Sequence, residues 1–262
     1  MIKKLFELRG ELNKRTITII EFSGVAFLLF IWELITYFQL ISPSLLPPPL
    51  KVIASFKELH FHDYLVRNLG YSFKLNLLGY MEAVLISIPI GFIIGLFPLF
   101  KGLFNRQIDA FRFIPLTAVT GLFIAWFGIE DSMKIHFLAF GIIVYLLPVV
   151  IQRVHDVEKV YEQTVRTLGA TKWQTIRTVF IPSVLSKLIS DIRVMVAISW
   201  TYIIVAEMVN QSGGIGALAY IAARQSRIDK VFAVLIVIIV VGFIQDKLFE
   251  KADKLIFPHK YS

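Results

Sequence analysis

Charged residues inside apolar stretches are the residues of this sequence most able to serve a chemical function. Asp191, Arg193 and Glu207 fall within the least hydrophobic of several long apolar segments. A charged side chain inside a bilayer costs about 2.5–3.5 kcal/mol on insertion scales, so such residues are rarely idle. Asp191 and Arg193 stand two positions apart and cannot share a helical face, so we expect each to pair with another segment, with snorkelling as the competing interpretation. Glu207, near the other end, either lines a path or pairs with a basic residue.

Three other groups resemble chemical sites but lack their essential companions. His60, His62 and Asp63 carry metal-binding side chains, yet no further ligand cluster accompanies them. The glycines of residues 213–216 (GGIG) resemble a phosphate loop, but no predicted strand precedes them and no Gly-Lys-Ser/Thr follows. No nucleophile–base arrangement stands out. The sequence therefore predicts no catalysis, no metal and no cofactor bound by this chain, and the glycines are interpreted as turns of an outward-facing loop.

The composition predicts a membrane protein. Of the 262 residues, 56% are hydrophobic and the mean hydropathy is +0.71, whereas soluble domains carry about 45–50% apolar residues. A spanning helix needs about 20 apolar residues. Stretches of that kind lie at residues 17–40, 73–97, 108–127, 133–151, 184–209 and 231–249. We therefore predict an all-α, polytopic fold of about six spans in a single transmembrane domain (1–262), with no cleavable signal peptide and no disulfides, since cysteine is absent.

The net charge of +8 allows two interpretations. Basic patches bind nucleic acid phosphates, but membrane proteins also retain lysine and arginine on the cytoplasmic side. If the N-terminus lies inside, more than twice as many of the 27 basic residues fall on the cytoplasmic side as on the outer side. This bias predicts cytoplasmic termini, including the basic segment 1–16, and no nucleic acid partner.

A polar insert, residues 157–182, separates the fourth and fifth apolar stretches. Apolar residues recur there at three- and four-residue spacing on both sides of Gly169, which predicts two amphipathic helices. Gly169 would end the first, Thr171 and Gln174 have the spacing of a capping box for the second, and Pro182 would end it. Helices this short need a surface to lie against, either their own bundle or a separate protein, and both remain open. Their apolar anchors would be Tyr161, Leu168 and Trp173.

Residues 166–170 (RTLGA), with Pro182 thirteen positions after the glycine, resemble the cytoplasmic "EAA" loop of ABC-importer permeases. In that family a glutamate and two alanines precede the glycine by six, five and four residues. The sequence departs from this pattern, because Gln163, Thr164 and Val165 occupy those positions and Glu162 stands one residue early. The resemblance implies that the insert couples the spans to an ATPase. The coupling residues would be Glu162, Gln163, Leu168, Gly169, Ala170, Trp173 and Pro182.

Downstream segments resemble the family branch associated with nitrate, sulfonate, taurine and bicarbonate. They are residues 191–193 (DIR), 205–208 (VAEM), 213–216 (GGIG) and the tail around Phe232. The resemblance implies the permease subunit of an ATP-driven importer of a small solute, expected to be a small anion, in the bacterial cytoplasmic membrane. The implied partners are an ABC ATPase that binds the ATP, an extracytoplasmic solute-binding protein, a second permease copy in a homodimer, and the lipid bilayer.

The third span, with Pro115 and residues 126–128 (WFG), is similar to the proline-rich third span of these permeases, and a broken helix at membrane depth usually faces protein or water. The residues expected along the translocation path are Pro115, Thr117, Thr120, Trp126, Arg193, Trp200 and Glu207. A stand-alone channel or secondary transporter, coupled to ions by Glu33, Glu82 and Glu207, is the alternative. A membrane hydrolase that uses His60 and His62 is a third. The insert discriminates among them, because a self-sufficient transporter has no need of a docking element.

Overall fold

The computed structural model describes residues 7, 10 and 12–258, which form helices and connecting turns. No strand occurs among these residues, and the predicted all-α, polytopic fold is confirmed. The helices are α1 (Lys14–Tyr37), α2 (Pro49–Phe61), α3 (Leu65–Leu96), α4 (Pro98–Phe111), α5 (Thr120–Phe127), α6 (Asp131–His155), α7 (Lys159–Thr167), α8 (Lys172–Thr175), α9 (Ile181–Val209), α10 (Ile215–Arg224) and α11 (Ile228–Ile256). A 3₁₀ turn covers Leu116–Val119 and a π-helical segment covers Ile176–Phe180. The predicted basic N-terminal segment lies mostly outside the described residues.

Five helical runs of the described chain are long and apolar enough to cross a membrane, and a bent pair makes a sixth crossing if it counts as one span. The bent pair is α4 followed by Leu116–Phe127, which meet at 96°. Pro115 lies at this break, as its lack of an N–H and its fixed φ predict. The sequence predicts the second span from residue 73, but α3 begins at Leu65. The polar residues of its first turns are accommodated because Ser72 is buried and hydrogen-bonded.

The chain divides into two compact units. One comprises residues 1–63 and 222–233, and the other residues 64–221 and 234–262. The core of the larger unit is built around α6, about half of which is buried, mainly against α3 and α9. Gly91 of α3 faces Val150 of α6 so closely that a Cβ built on the glycine would lie 2.5 Å from Val150 Cγ1. Small residues at such contacts let helix backbones approach within the bilayer, where packing replaces the hydrophobic effect.

Ion pairs join the elements of the smaller unit. The guanidinium of Arg227 donates to both carboxylate oxygens of Glu58, at 3.1 and 2.8 Å, and Lys230 Nζ lies 2.8 Å from Glu58 Oε1. Lys230 also donates to Asp63 Oδ2 at 2.6 Å. These hydrogen bonds from Arg227 and then Lys230 lower the pKa of Glu58 from its ordinary 4.5 to about 2, and the partnership with Asp229 and Glu58 raises the pKa of Arg227. The α2 helix is thereby tied to the segment that enters α11.

We expect these ion pairs to make the stability of the smaller unit depend on pH in the acid range. Because the folded-state pKa of Glu58 lies below its unfolded value, its contribution is complete above pH 4.5 and is lost as the pH falls from 4.5 towards about 2. The difference between the melting temperatures of the wild-type chain and of Glu58→Gln, measured in detergent from pH 7 to pH 3, should shrink as the pH falls below 4.5. A constant difference between the two across that range would contradict the assignment.

Candidate functional site

The insert contains the first predicted helix as α7, and the second begins as predicted with α8 but continues into a longer helical run. Gly169 follows α7 with φ of +83°, the left-handed conformation in which glycine ends a helix at no steric cost. Thr171 Oγ1 accepts from the Gln174 N–H at 3.3 Å and Gln174 Oε1 accepts from the Thr171 N–H at 2.8 Å, so the predicted capping box is confirmed.

The prediction that Pro182 ends the second helix is wrong. A single helical run extends from Lys172 to Val209, and Pro182 lies in the first turn of α9 within that run. The π-helical segment Ile176–Phe180 directly precedes the proline. Its wider turns accommodate a residue that has no N–H and that would clash with the carbonyl four residues earlier in a regular helix. The insert is therefore joined to the fifth span without an intervening loop.

The apolar anchors of the insert point away from the rest of the unit. The side chain of Leu168 is 82% exposed and that of Trp173 is 66% exposed, and Tyr161 is exposed as well. The polar residues nearby are engaged locally: Glu162 pairs with Arg166 at 2.7 Å along α7, and the Ala170 N–H donates to the Val165 carbonyl at 3.0 Å. Gln163 is exposed. Of the two interpretations from the sequence, the exposed anchors favour docking to a separate protein over self-packing.

An ion pair joins α6 and α9, the two helices that flank the insert. Arg153, in the last turn of α6, donates to Asp191 of α9 through Nε at 2.7 Å and through Nη2 at 2.8 Å. Arg193 makes a similar two-point contact with Asp246 of α11, at 2.5 and 2.6 Å. The prediction that Asp191 and Arg193 find partners on other spans is confirmed. Both residues hold helices together around the point where the insert leaves the bundle.

A cleft of about 310 Å³ opens where the bent span meets α6 and α9. Pro115 and Thr117 line it from the break between α4 and α5, and Tyr145 and Tyr202 line it from α6 and α9. Arg112 adds a guanidinium group to this lining. The polar groups of this otherwise apolar cleft are hydroxyls and the Arg112 guanidinium, which also pairs with Asp109 at 2.5 Å, and such groups suit a solute that accepts hydrogen bonds. The two tyrosines cannot be identified from the sequence, because nothing in their spacing marks which face of each helix meets the break.

The remaining predicted path residues lie outside the lining of this cleft. Thr120 donates to the Thr117 carbonyl at 2.9 Å, and the Trp126 side chain is exposed on α5. Trp200 is buried and donates through Nε1 to Gln245 Oε1 of α11 at 2.7 Å. Together with the Arg193 ion pair, this bond joins α9 to α11. The structure thus brings Pro115 and Thr117 into one cleft and places Trp200 and Arg193 between helices.

Glu207 is fully buried near the end of α9, where it binds the glycine-rich segment that follows. Its Oε1 accepts from Ser72 Oγ of α3 at 2.6 Å, and its Oε2 accepts from the Gly216 N–H at 2.8 Å. Ser72 Oγ in turn accepts from the Ile215 N–H at 2.8 Å. Gly214 has φ of +103°, and a Cβ built on it would overlap the Glu207 carboxyl group, so no larger residue fits. We call this arrangement of Ser72, Glu207, Gly214, Ile215 and Gly216 the Glu207 clasp.

A second buried charge lies in the same region. Lys134 of α6 is fully buried and donates to Ser212 Oγ at 2.9 Å and to the Tyr71 hydroxyl at 3.2 Å. Tyr71 donates to Asp131 at the start of α6. No sequence pattern marks this role, because Lys134 lies in the first turns of an apolar segment where lysine is normally solvated. Lys134 is therefore held by Ser212 and Tyr71, and Glu207 is held by Ser72 and the Gly216 N–H, so both buried charges have polar partners.

These features define a membrane-embedded protein with an exposed helical insert before its fifth span. The family model for the binding-protein-dependent transport system inner membrane component matches residues 87–256, and the chain belongs to this family. It is therefore the permease subunit of an ATP-driven, binding-protein-dependent importer, as predicted. The family also decides against the ion-coupled alternative, and Glu82 is engaged by His136 Nδ1 at 2.8 Å.

Individual relatives agree with this family. The chain is 29% identical over 225 residues to the taurine transport system permease protein TauC of Escherichia coli, covering 84% of this chain and 82% of the relative. It is 27% identical over 237 residues to the putative aliphatic sulfonates transport permease protein SsuC of Bacillus subtilis, covering 90% and 86%. Among solved structures, an inward-facing conformation of the MetNI methionine ABC transporter matches with a TM-score of 0.65 at 17% identity, covering 73% of this chain and 95% of that chain. This last likeness supports the fold.

Proposed function

We propose that two copies of this chain form the membrane path of an importer for small sulfonates or similar organic anions. An ABC ATPase would grip the insert, hydrolyse the ATP and move the spans, and an extracytoplasmic binding protein would deliver the solute. The insert and both termini would then lie in the cytoplasm of the bacterial cell, which agrees with the excess of basic residues on that side. Transport requires two packings of the spans a few kcal/mol apart, each favoured by a different nucleotide state.

The observation that carries the proposal is the outward display of Leu168, which directly follows α7, and of Trp173, which lies in the first turn of the helical run that continues into the fifth span. Large exposed apolar side chains of this kind fit a groove on a partner protein, and the nine-residue α7 is too short to be stable without a surface. The bidentate pair of Arg153 and Asp191 fixes the base of the insert, so a force applied to the insert reaches α6 and α9.

The substrate class is supported by the relatives and by the cleft. The two relatives are named for taurine and aliphatic sulfonates, both of which carry a sulfonate group. In the cleft, Thr117, Tyr145 and Tyr202 offer hydroxyl groups, and the Arg112 guanidinium, one of whose N–H groups pairs with Asp109, offers further donors that match the oxygens of a small anion.

Removing the two most exposed anchors, Leu168 and Trp173, should uncouple the importer. Interface residues of this kind cost about 1 kcal/mol or more each when truncated, so Leu168→Ala with Trp173→Ala should lower ATPase retention and ATP-driven uptake by about tenfold or more. The ATPase subunit that co-purifies with the tagged permease gives the first readout, and uptake of radiolabelled taurine by the reconstituted complex gives the second.

Leu255→Ala is the matched control, because Leu255 is exposed to the same extent as Leu168 but lies near the end of α11. It should retain the ATPase and full uptake. Equal retention in the anchor variant and the control would refute the docking role. Full uptake by the chain in liposomes without any ATPase would refute the proposed function as a whole, and the ligand that co-purifies with the binding protein tests the sulfonate assignment separately.

A further inference from the structure

A pocket of about 530 Å³ lies between the insert and the ends of the spans. Its apolar wall includes Leu96 from the end of α3, Val154 from the end of α6, and Ile176 and Phe180 from the π-helical segment. Lys159, Arg166 and Lys172 supply cationic groups from the insert. None of the exposed anchors Tyr161, Leu168 and Trp173 lines the pocket. The insert therefore has two distinct faces, an apolar one for a partner protein and a basic one turned towards the bundle.

The charge of this pocket is not balanced by the chain itself. Its one carboxylate, Glu162, is already paired with Arg166 at 2.7 Å, which fixes the position of that guanidinium. Within the described part of the chain, neither Lys159 nor Lys172 meets a carboxylate. His155 adds a further basic side chain to the lining. An excess of cations around this partly open pocket favours an anionic occupant that brings several oxygen acceptors.

The location restricts what that anion is. Leu96 and His155 are the final residues of two membrane-crossing helices, so the pocket lies at the depth where apolar spans give way to water. At this depth the abundant anions are phospholipid headgroups, and basic pockets between spans are suited to hold them. The apolar wall provides a surface for the first carbons of an acyl chain, which a free inorganic anion lacks. Phosphate chemistry and an adjoining apolar surface occur together in an anionic phospholipid.

We propose that this pocket binds the phosphate of an anionic phospholipid between Lys159 and Lys172. Lys159 begins α7 and Lys172 begins α8, so the lipid bridges both helices of the insert to the ends of α3 and α6. The site is distinct from the solute cleft and from the anchor face, and it does not depend on the identity of the transported solute. Bound lipid would set the resting position of the insert and would make coupling sensitive to the anionic lipid content of the membrane.

Native mass spectrometry of the purified full-length chain, titrated with dioleoylphosphatidylglycerol or dioleoylphosphatidylcholine, tests the site. Each basic residue near a membrane surface changes anionic lipid binding by about fivefold, so Lys159→Gln with Lys172→Gln should weaken phosphatidylglycerol binding about 25-fold. Phosphatidylcholine binding should not change. The variant Lys159→Arg with Lys172→Arg retains both charges and should retain binding, which separates loss of charge from misfolding.

Lys187→Gln with Lys251→Gln is the control of equal charge change, because both lysines are exposed outside the pocket. It should bind phosphatidylglycerol like the wild type. Unchanged phosphatidylglycerol binding in the Lys159/Lys172 glutamine variant would overturn the site. A separate titration with inorganic phosphate distinguishes the source of the anion: displacement of the lipid by equimolar phosphate would overturn the lipid assignment, and the absence of displacement supports it.

Discussion

Glu207→Ala is expected to abolish folded, transport-competent protein in most preparations. The change removes the acceptor of two buried donors, the Ser72 hydroxyl and the Gly216 N–H. Each buried donor left without a partner costs about 1–3 kcal/mol, so the two together cost about 2–6 kcal/mol. That is a large part of the usual stability of a protein, about 5–15 kcal/mol. The yield of monodisperse protein and the ATP-driven uptake per assembled complex are the measurements.

The Glu207 clasp predicts how strongly each of several variants loses stability and uptake. Glu207→Gln keeps one oxygen acceptor and should fall between Glu207→Ala and the wild type. Gly214→Ala should resemble Glu207→Ala, because its new methyl group would overlap the carboxyl group and its φ is unfavourable for alanine.

Gly70→Ala is the matched control, since a Cβ there meets nothing within 4 Å and the residue lies inside α3, where alanine stabilises a helix by about 0.5–1 kcal/mol. A Glu207→Ala protein as stable and active as Gly70→Ala would show that the clasp has no structural role.

Gly91→Val is expected to disrupt the packing of α3 against α6. A Cβ at this position already lies 2.5 Å from Val150 Cγ1, and the neighbouring helix cannot retreat without disturbing the core of the larger unit. Overpacking of this kind costs about 1–3 kcal/mol, which corresponds to about a fivefold to more than hundredfold loss in the folded-to-unfolded ratio. Thermal melting in detergent, followed by loss of the monodisperse peak, measures the effect.

Two further variants serve as controls for Gly91→Val. Gly24→Val introduces the same side chain where nothing lies within 4 Å, so it should leave the melting temperature close to that of the wild type. Val150→Ala in the Gly91→Val background removes Cγ1, the closest atom, but keeps Cβ at 2.6 Å, so it should recover part of the loss. If Gly91→Val melts like Gly24→Val, the close approach of the two helices is not a determinant of stability.

The features that depend on local chemistry can be predicted from the sequence. Each of these features depends only on residues close together in the chain. They are the apolar runs, the capping box at Thr171 and Gln174, and the helix-ending Gly169, and all are present in the structure. Pro182 is misjudged from the sequence because the effect of a proline depends on the turn before it. The π-helical segment before Pro182 accommodates the missing N–H and the steric clash that would otherwise end the helix.

Features that depend on tertiary contacts cannot be predicted from this sequence alone. Polar groups in a span suggest function, which is why Arg193 and Trp200 are expected along the path. Their partners Asp246 and Gln245, however, lie 53 and 45 positions away along the chain. Lys134 looks like an ordinary interfacial lysine until the fold encloses it. Sequence spacing shows that a polar residue needs a partner, whereas only the fold shows which residue meets that need.

The uninterrupted helical run from Lys172 to Val209 has a mechanical consequence. At 1.5 Å per residue, its 38 residues form a rod about 57 Å long, with Trp173 at one end and Glu207 at the other. A rotation of about 5° around the middle of such a rod would shift each tip by about 2.5 Å in opposite directions, which is enough to break a hydrogen bond. A pull on Trp173 would thereby loosen Gly216 from Glu207 across the full thickness of the membrane, and no chain of intermediate contacts would be required to carry the signal.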